Sequence, residues 1–340
     1  MIDVLVVGGG PAGLAAAIGC AQAGLSVTVA EPRTGPIDKA CGEGLMPAAV
    51  DRLAAIGVHP VGRPLRGINY LDARRSAAAL FRHGHGLGVR RTTLHAAFAA
   101  RAAELGIPIL PVRVTSFTQG SDGVQAAGIE ARYLVAADGL HSAIRRACDL
   151  DPLPPRHPRF GLRRHYYRPP WNDLVEVYWA KGSEAYVTPV AEDVVGVAVL
   201  SGATGDFESR LAAFPALRER LAGAEPASGV RGAGPLRQDV RRRATGRVLF
   251  VGDASGYLDA LTGEGISVAL AQAAVLAECL ASARPDEYER AWRRVSRKPW
   301  MLTAGLLWAR NQALLAPRIV PAAHRLPRVF TTIVNQVACA

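Results

Sequence analysis

Four stretches of this sequence combine residue types and spacings that could do chemistry. The first is Gly8-x-Gly10-x-x-Gly13, with Pro11 and Ala12 inside it, set between an apolar run and a small-residue helix pattern. In such a turn the first glycine permits a tight bend and the second lets the backbone approach a pyrophosphate. The third permits close helix–strand packing. Glu31 lies eighteen residues beyond Gly13, followed by Pro32 and Arg33. A carboxylate there suits ribose hydroxyls without a 2′-phosphate, so FAD or NAD rather than NADP. The second stretch is Asp138-Gly139-x-x-Ser142-x-x-Arg145 and the third is Val251-Gly252-Asp253-Ala254. The fourth is Lys39-Ala40-Cys41-Gly42-Glu43-Gly44-Leu45-Met46-Pro47, a thiol and a carboxylate in a glycine-rich loop.

Together the first three stretches resemble the para-hydroxybenzoate-hydroxylase superfamily of FAD proteins, which includes aromatic hydroxylases and the geranylgeranyl-reductase branch. The resemblance covers roughly residues 1–280. It implies FAD as the resident cofactor and NAD(P)H as a transient reductant, since the sequence has one dinucleotide fingerprint and Gly232-Ala233-Gly234-Pro235 lacks the third glycine. It implies that Asp253 bonds the ribityl hydroxyls and that Asp138 and Gly139 lie near the pyrophosphate. Arg91, in an Arg-x-x-Leu pattern with Leu94, and Val114 would also contact FAD. Thr262-Gly263-Glu264-Gly265-Ile266 would bring backbone and a helix N-terminus to the isoalloxazine, where the partial positive charge favours the anionic reduced ring. Cys41-Gly42-Glu43-Gly44-Leu45 resembles the reductase branch, in which this loop lies beside flavin and substrate.

Two departures bear on the substrate. Ala260 stands where relatives carry a proline, and Tyr186-Val187-Thr188-Pro189-Val190 keeps the tyrosine and proline of the reductase branch but lacks its tryptophan and phenylalanine. These favour an NAD(P)H-dependent monooxygenase acting through a C4a-hydroperoxyflavin on an aromatic, phenolic-lipid or polyketide-like substrate. The Cys41 loop favours instead a prenyl or ene reductase. A non-catalytic escort on the same fold is the third reading, opposed by the intact Gly252-Asp253 pair. Candidate catalytic residues are Cys41, Glu43, His165 and Tyr186. His165 would serve as base for a phenol, and Tyr166, Tyr178 and Trp179 are further candidates for the inner face of a substrate sheet.

These residues need an α/β framework to hold them. Residues 2–7 and 25–30 read as buried parallel strands around a helix from Leu14 to Ala23, and 47–56 as a helix. Thr92–Leu105 has helical apolar spacing, with Thr92 or Thr93 available as N-cap. Residues 107–114, 123–127, 133–137 and 247–251 read as strands, and Gly263–Ala281 as a long helix. Residues 174–180, 184–190 and 194–200 predict an antiparallel sheet. The expected organisation is a discontinuous Rossmann-type FAD domain (1–64, 86–157, 245–284), interleaved with an antiparallel substrate domain (65–85, 158–244). A helical basic segment (285–340), broken at Pro299, Pro317, Pro321 and Pro327, completes it.

Composition removes other classes. Nearly half the 340 residues are apolar and a fifth charged, as in a globular chain. No run is long and apolar enough for a spanning helix, and no basic leader precedes the first strand. Cys20, Cys41, Cys148, Cys279 and Cys339 are odd in number and scattered, which opposes a disulfide framework or zinc site and suits the cytoplasm. The net charge is +11, of which +7 falls from Arg284 onward. No nucleic-acid-binding module accompanies it. The expected partner is a hydrophobic small molecule, with peripheral membrane contact through the basic tail left open; oligomeric state is not legible.

Overall fold

The computed structural model describes residues 1–339. Five parallel strands lie in the order Val248–Phe250, Ile129–Ala136, Ile2–Val7, Val27–Ala30, Ile109–Leu110. Val4, Leu5 and Val6 are fully buried because helices or loops cover both faces of the central strand. The first helix is Pro11–Gln22, three residues longer at its start than its apolar spacing suggests. Proline fits the first helical position, where its missing N–H costs nothing. The small residues of this helix let it lie close against the helix Gly265–Ala281: a Cβ on Gly19 would sit 3.1 Å from that of Ala277.

A second sheet of seven strands runs Arg231–Ala233, Phe160–Tyr167, Val194–Ser201, Ser183–Pro189, Leu174–Ala180, Gly67–Leu71, Ser76–Leu80. Its pairings are antiparallel except Leu174–Ala180 with Gly67–Leu71, which are parallel. A small sheet of Gly44–Leu45, Gly86–Gly88 and Arg63–Leu65 fixes the end of the Cys41 loop. This is the expected mixed α/β class, with a parallel and an antiparallel sheet.

Several expected boundaries move for local reasons. The strand expected over 107–114 contracts to Ile109–Leu110, because Pro108 and Pro111 flank it without ladder donors. The helix expected to be capped by Thr92 or Thr93 begins at Arg91, which leaves both threonines inside its first turn. Pro299 does not break the tail. It lies buried within the helix Tyr288–Asn311, on one face with Trp292, Ser296 and Thr303, whose packing holds the helix together across the missing N–H. Pro321 occupies the first turn of Ile319–Arg325 and Pro327 opens Pro327–Ala338, positions where helices accept proline. No described helix is long and apolar enough to cross a membrane.

Candidate functional site

Where the parallel sheet faces the antiparallel one, a cavity of about 1060 Å³ runs from the glycine turn to the C-terminal helices. At one end the glycine turn is built as its spacing requires. Gly8 has φ +110°, and a Cβ on Gly13 would lie 1.9 Å from the Gly8 carbonyl oxygen. Replacing Gly13 with alanine should therefore force helix and strand apart. The expected cost is about 1–3 kcal/mol of stability together with loss of bound flavin; unchanged thermal stability and flavin absorbance would contradict this. Gly9 N–H donates to Glu31 Oε2 at 2.8 Å, so the carboxylate anchors the turn from beneath, and Arg33 closes on its other side.

Gly10, Pro11, Ala12, Arg33 and Arg91 line this end of the cavity. Arg91 Nε and Asp138 Oδ1 are buried there without hydrogen-bond partners. Buried polar atoms left in that condition are costly unless a ligand meets them, so the wall is shaped for a polar, extended molecule such as a dinucleotide. Asp138 spends its other oxygen on Ile144 N–H at 3.1 Å. Arg145, the last residue of that motif, is buried and does not line the cavity. Its guanidinium holds the Leu140 and Ala254 carbonyls, Gln238 and Asp151, clamping the Asp138 loop to the Asp253 loop.

The Gly252-Asp253 turn is held by Gln272, whose Oε1 accepts from Gly252 N–H and whose Nε2 donates to Ser296 on the C-terminal helix. Asp253 faces the cavity and pairs with Lys39 at 3.0 Å. Thr262, Gly263, Gly265 and Ile266 also line it, at the N-terminus of the helix Gly265–Ala281. Gly8, Gly13, Glu31, Pro32, Val114 and Glu264 do not. Val114, expected at the cofactor, puts its side chain into the core beneath the parallel sheet with Leu5, Val7 and Ala30.

Glu264 lies behind the loop with both oxygens buried. Burial pushes its carboxyl up to about 8, against the smaller opposing pull of Thr303, Thr262 and Lys298. A raised carboxyl binds its proton more tightly in the folded than in the unfolded chain, so stability falls as pH rises from about 4.5 to about 8. The span corresponds to at most about 5 kcal/mol. Glu264→Gln should flatten that part of the stability–pH curve; an unchanged slope in denaturant titrations would contradict the assignment.

The Cys41 loop crosses the middle of the cavity and is tied to the antiparallel sheet. Glu43 is buried at φ +60°. Its Oε1 accepts from Arg91 N–H at 2.8 Å and its Oε2 meets His165 Nε2 at 2.5 Å. Gly196, paired with His165 across the strands, leaves room for the carboxylate: a Cβ there would lie 3.0 Å from Glu43 Oε2. Arg163 Nη1 donates to His165 Nδ1 at 3.1 Å, while its Nη2 holds Asp38 and the Lys39 carbonyl. Because arginine can only donate, His165 carries its proton on Nε2 and gives it to Glu43. The expectation that His165 meets a phenol is corrected: the ring does not line the cavity, and both nitrogens are engaged within the protein.

Cys41 does line the cavity. Desolvation pushes its thiol up, with the charge of Arg91 partly opposing, and Glu43 N–H donates to Sγ at 3.4 Å. Tyr186 lines the cavity too, its hydroxyl donating to the Leu261 carbonyl at 2.7 Å. The period-2 alternation of strands sends Val175, Val177 and Tyr186 to this face, and sends Tyr166 and Tyr178 to the opposite one. There those two pack with Phe207, Leu211 and Phe214, so they do not reach the cavity. Trp179 is a backing residue, 5.2 Å from Tyr70 between ring centres.

Sequence reasoning missed Tyr70, Tyr257 and much of the apolar wall. Tyr70 sits on Gly67–Leu71 between Trp179 and Phe330, the latter 4.8 Å away by ring centres. Phe330, Val334 and Leu306 come from the C-terminal helices. The short apolar alternation of residues 67–71 was the signal available for Tyr70. The tail offered only the amphipathic spacing of residues 300–308.

Comparison with known proteins agrees with this geometry. Residues 1–161 match the FAD binding domain family model. Digeranylgeranylglycerophospholipid reductase 2 of Methanothermobacter thermautotrophicus is 30% identical, over 86% of this chain and 83% of its own length. Menaquinone reductase of Mycolicibacterium smegmatis is 29% identical, over 98% and 90%. Among solved structures, a flavin-dependent brominase superposes with TM-score 0.86 at 18% identity, covering 100% of this chain and 94% of that one. A flavoprotein/dehydrogenase from Cytophaga hutchinsonii gives 0.85 at 20%, covering 99% and 93%. At such identities the two structures speak for the fold alone. The chain belongs to the para-hydroxybenzoate-hydroxylase-like superfamily of FAD-dependent oxidoreductases.

Proposed function

We propose that this flavoprotein saturates carbon–carbon double bonds in a prenyl lipid. The observation that carries the reading is the cavity itself. Beyond Cys41 and the Thr262–Gly265 loop it continues as an apolar channel walled by Ile68, Val177, Tyr186, Leu200, Leu236 and Phe330, and His165 does not face it. A long apolar chain fits such a wall, whereas a phenol to be hydroxylated would find no general base at His165. The two relatives named above are reductases of an isoprenoid phospholipid and of menaquinone, which supports the same choice.

Bound FAD, once reduced, supplies a hydride. In this reading Gly10, Pro11, Ala12 and Arg91 would hold its diphosphate, Asp253 its ribityl chain, and Gly263 and Gly265 its ring, with Asp138 and Gly139 alongside. The Cys41 thiol would give a proton to one carbon of the double bond as the other is reduced. Burial disfavours the thiolate left behind, the charges of Arg91 and Arg163 partly oppose that, and the thiolate keeps the Glu43 N–H bond until water returns the proton. Glu43 and His165 are positioning residues that hold the loop. NAD(P)H is the proposed reductant, meeting the flavin at the cavity because the chain has no second dinucleotide fingerprint.

Hydroxylation keeps two observations in its favour, Ala260 in place of a proline and the missing tryptophan and phenylalanine around Tyr186. Stopped-flow mixing separates the two. Anaerobically reduced protein should be reoxidised by digeranylgeranyl phospholipid or menaquinone and not by simple phenols. Phenol-dependent oxygen consumption, with no anaerobic reoxidation by prenyl lipids, would overturn the proposal.

A further inference from the structure

The C-terminal helices form the mouth of the apolar cavity and present a surface of unusual chemistry. Thirteen large apolar side chains are exposed among the described residues, and six of them fall between 301 and 333: Met301, Trp308, Leu314, Leu326, Val329 and Ile333. They are not scattered. Met301, Ala304, Gly305 and Trp308 follow one face of the helix Tyr288–Asn311, and Leu326, Val329 and Ile333 follow one face of the Pro327–Ala338 turn and helix. Met301, Leu326, Val329 and Ile333 are at once about half exposed or more and part of the cavity wall, so the channel opens between these helices. An exposed contiguous apolar patch of this kind marks an interaction surface.

The surface is also fixed and basic. Arg310 Nε pairs with the buried Glu184 at 2.6 Å, and Asn335 Nδ2 donates to the Leu80 carbonyl at 3.0 Å, which holds the helices against the antiparallel sheet. From Arg290 to the end the chain carries nine arginines and lysines and no acidic residue. Arg318, Arg325 and Arg328 are exposed beside the apolar face. Apolar side chains rimmed by arginine, on helices too short or too polar to span a bilayer, match a surface lying in the headgroup region.

We infer that this face docks on an anionic lipid bilayer, so that a membrane-resident lipid slides between Met301 and Val329 into the channel without crossing water. The inference rests on the lipid-substrate reading for its purpose but not for its test. Charge complementarity selects the occupant: from Arg290 onward the chain carries no carboxylate side chain to pair with a second copy's arginines, whereas anionic headgroups pair with the exposed Arg318, Arg325 and Arg328.

The test uses the FAD-loaded full chain and vesicles of phosphatidylcholine alone or mixed with phosphatidylglycerol. Sedimentation should show binding to the anionic vesicles, weakened by salt and weak on phosphatidylcholine alone. Trp308→Ala, and separately Arg325→Gln with Arg328→Gln, lie outside the channel wall and should each lower partitioning, the double variant by about tenfold or more. Both should retain turnover of a short-chain isoprenoid presented in detergent and lose it selectively on vesicles. Absence of binding to either vesicle, or equal binding by all variants, would overturn the inference. So would a dimer in analytical ultracentrifugation that the Trp308 variant dissolves. Vesicle binding without any reduction of prenyl lipid would instead sink the reductase reading and leave the docking surface standing.

Discussion

Replacing Cys41 with alanine should slow double-bond reduction about 10²- to 10⁴-fold, the range for losing a positioned general acid, while flavin content and thermal stability stay near those of the parent protein. The separation follows from geometry. Cys41 lines the cavity, and its one hydrogen bond among the described residues is the weak one from Glu43 N–H, so little of the fold depends on it. Burial pushes the thiol up, which keeps it protonated and able to give a proton across neutral pH. Activity should then decline on the alkaline side as the thiol ionises, and the alanine variant should lack that limb. Single-turnover reoxidation of the reduced protein by substrate reads the step directly. A wild-type rate in Cys41→Ala would assign the proton to another group, with the buried hydroxyls of Tyr186 and Tyr257 next in reach of the cavity.

The largest effect on stability is expected at Glu43. Its carboxylate accepts from Arg91 N–H and from His165 Nε2, and it lies 3.8 Å from Arg163. Glu43→Ala leaves these donors buried and unanswered, which should cost about 3–5 kcal/mol. Because the same carboxylate joins the Cys41 loop to the antiparallel sheet, turnover should fall as well. Glu43→Gln keeps one acceptor oxygen and should recover part of the loss. Denaturant unfolding of the two variants gives the comparison. A cost below about 1 kcal/mol for alanine would mean the loop is held by Arg163 and Asp38 alone.

The motifs that position a dinucleotide were legible because their requirements are local. Gly8 and Gly13 are dictated by a turn and a close approach that only glycine permits, and Glu31 reaches Gly9 across a single βαβ unit. The antiparallel sheet was legible from alternation in residues 174–200. What was not legible depends on long-range pairing. Nothing in Arg163-Arg164-His165 says that the histidine's acceptor nitrogen is filled by Arg163 and its proton by Glu43, 122 positions away. Which of Tyr166, Tyr178 and Tyr186 meets the cavity is a question of strand phase, and a single residue of register inverts the answer. The tail read as a basic appendage broken by prolines. Packing of Trp292 against the Asp253 turn, with Trp292 Nε1 donating to Ser255 Oγ at 3.0 Å, makes it a wall of the site instead. The missing tryptophan and phenylalanine near Tyr186 point away from a prenyl channel, whereas Phe330 and Val334 of the C-terminal helices give the cavity apolar wall that the tail's sequence did not announce.

The central claim is that electrons pass from the flavin to a carbon–carbon double bond of a prenyl lipid. Its most direct test is the mass of the product after incubation of the purified holoprotein with NAD(P)H and digeranylgeranyl phospholipid or menaquinone, with and without oxygen. The account predicts gain of pairs of hydrogen atoms, unchanged by removing oxygen. Gain of an oxygen atom, seen only in air, would contradict it.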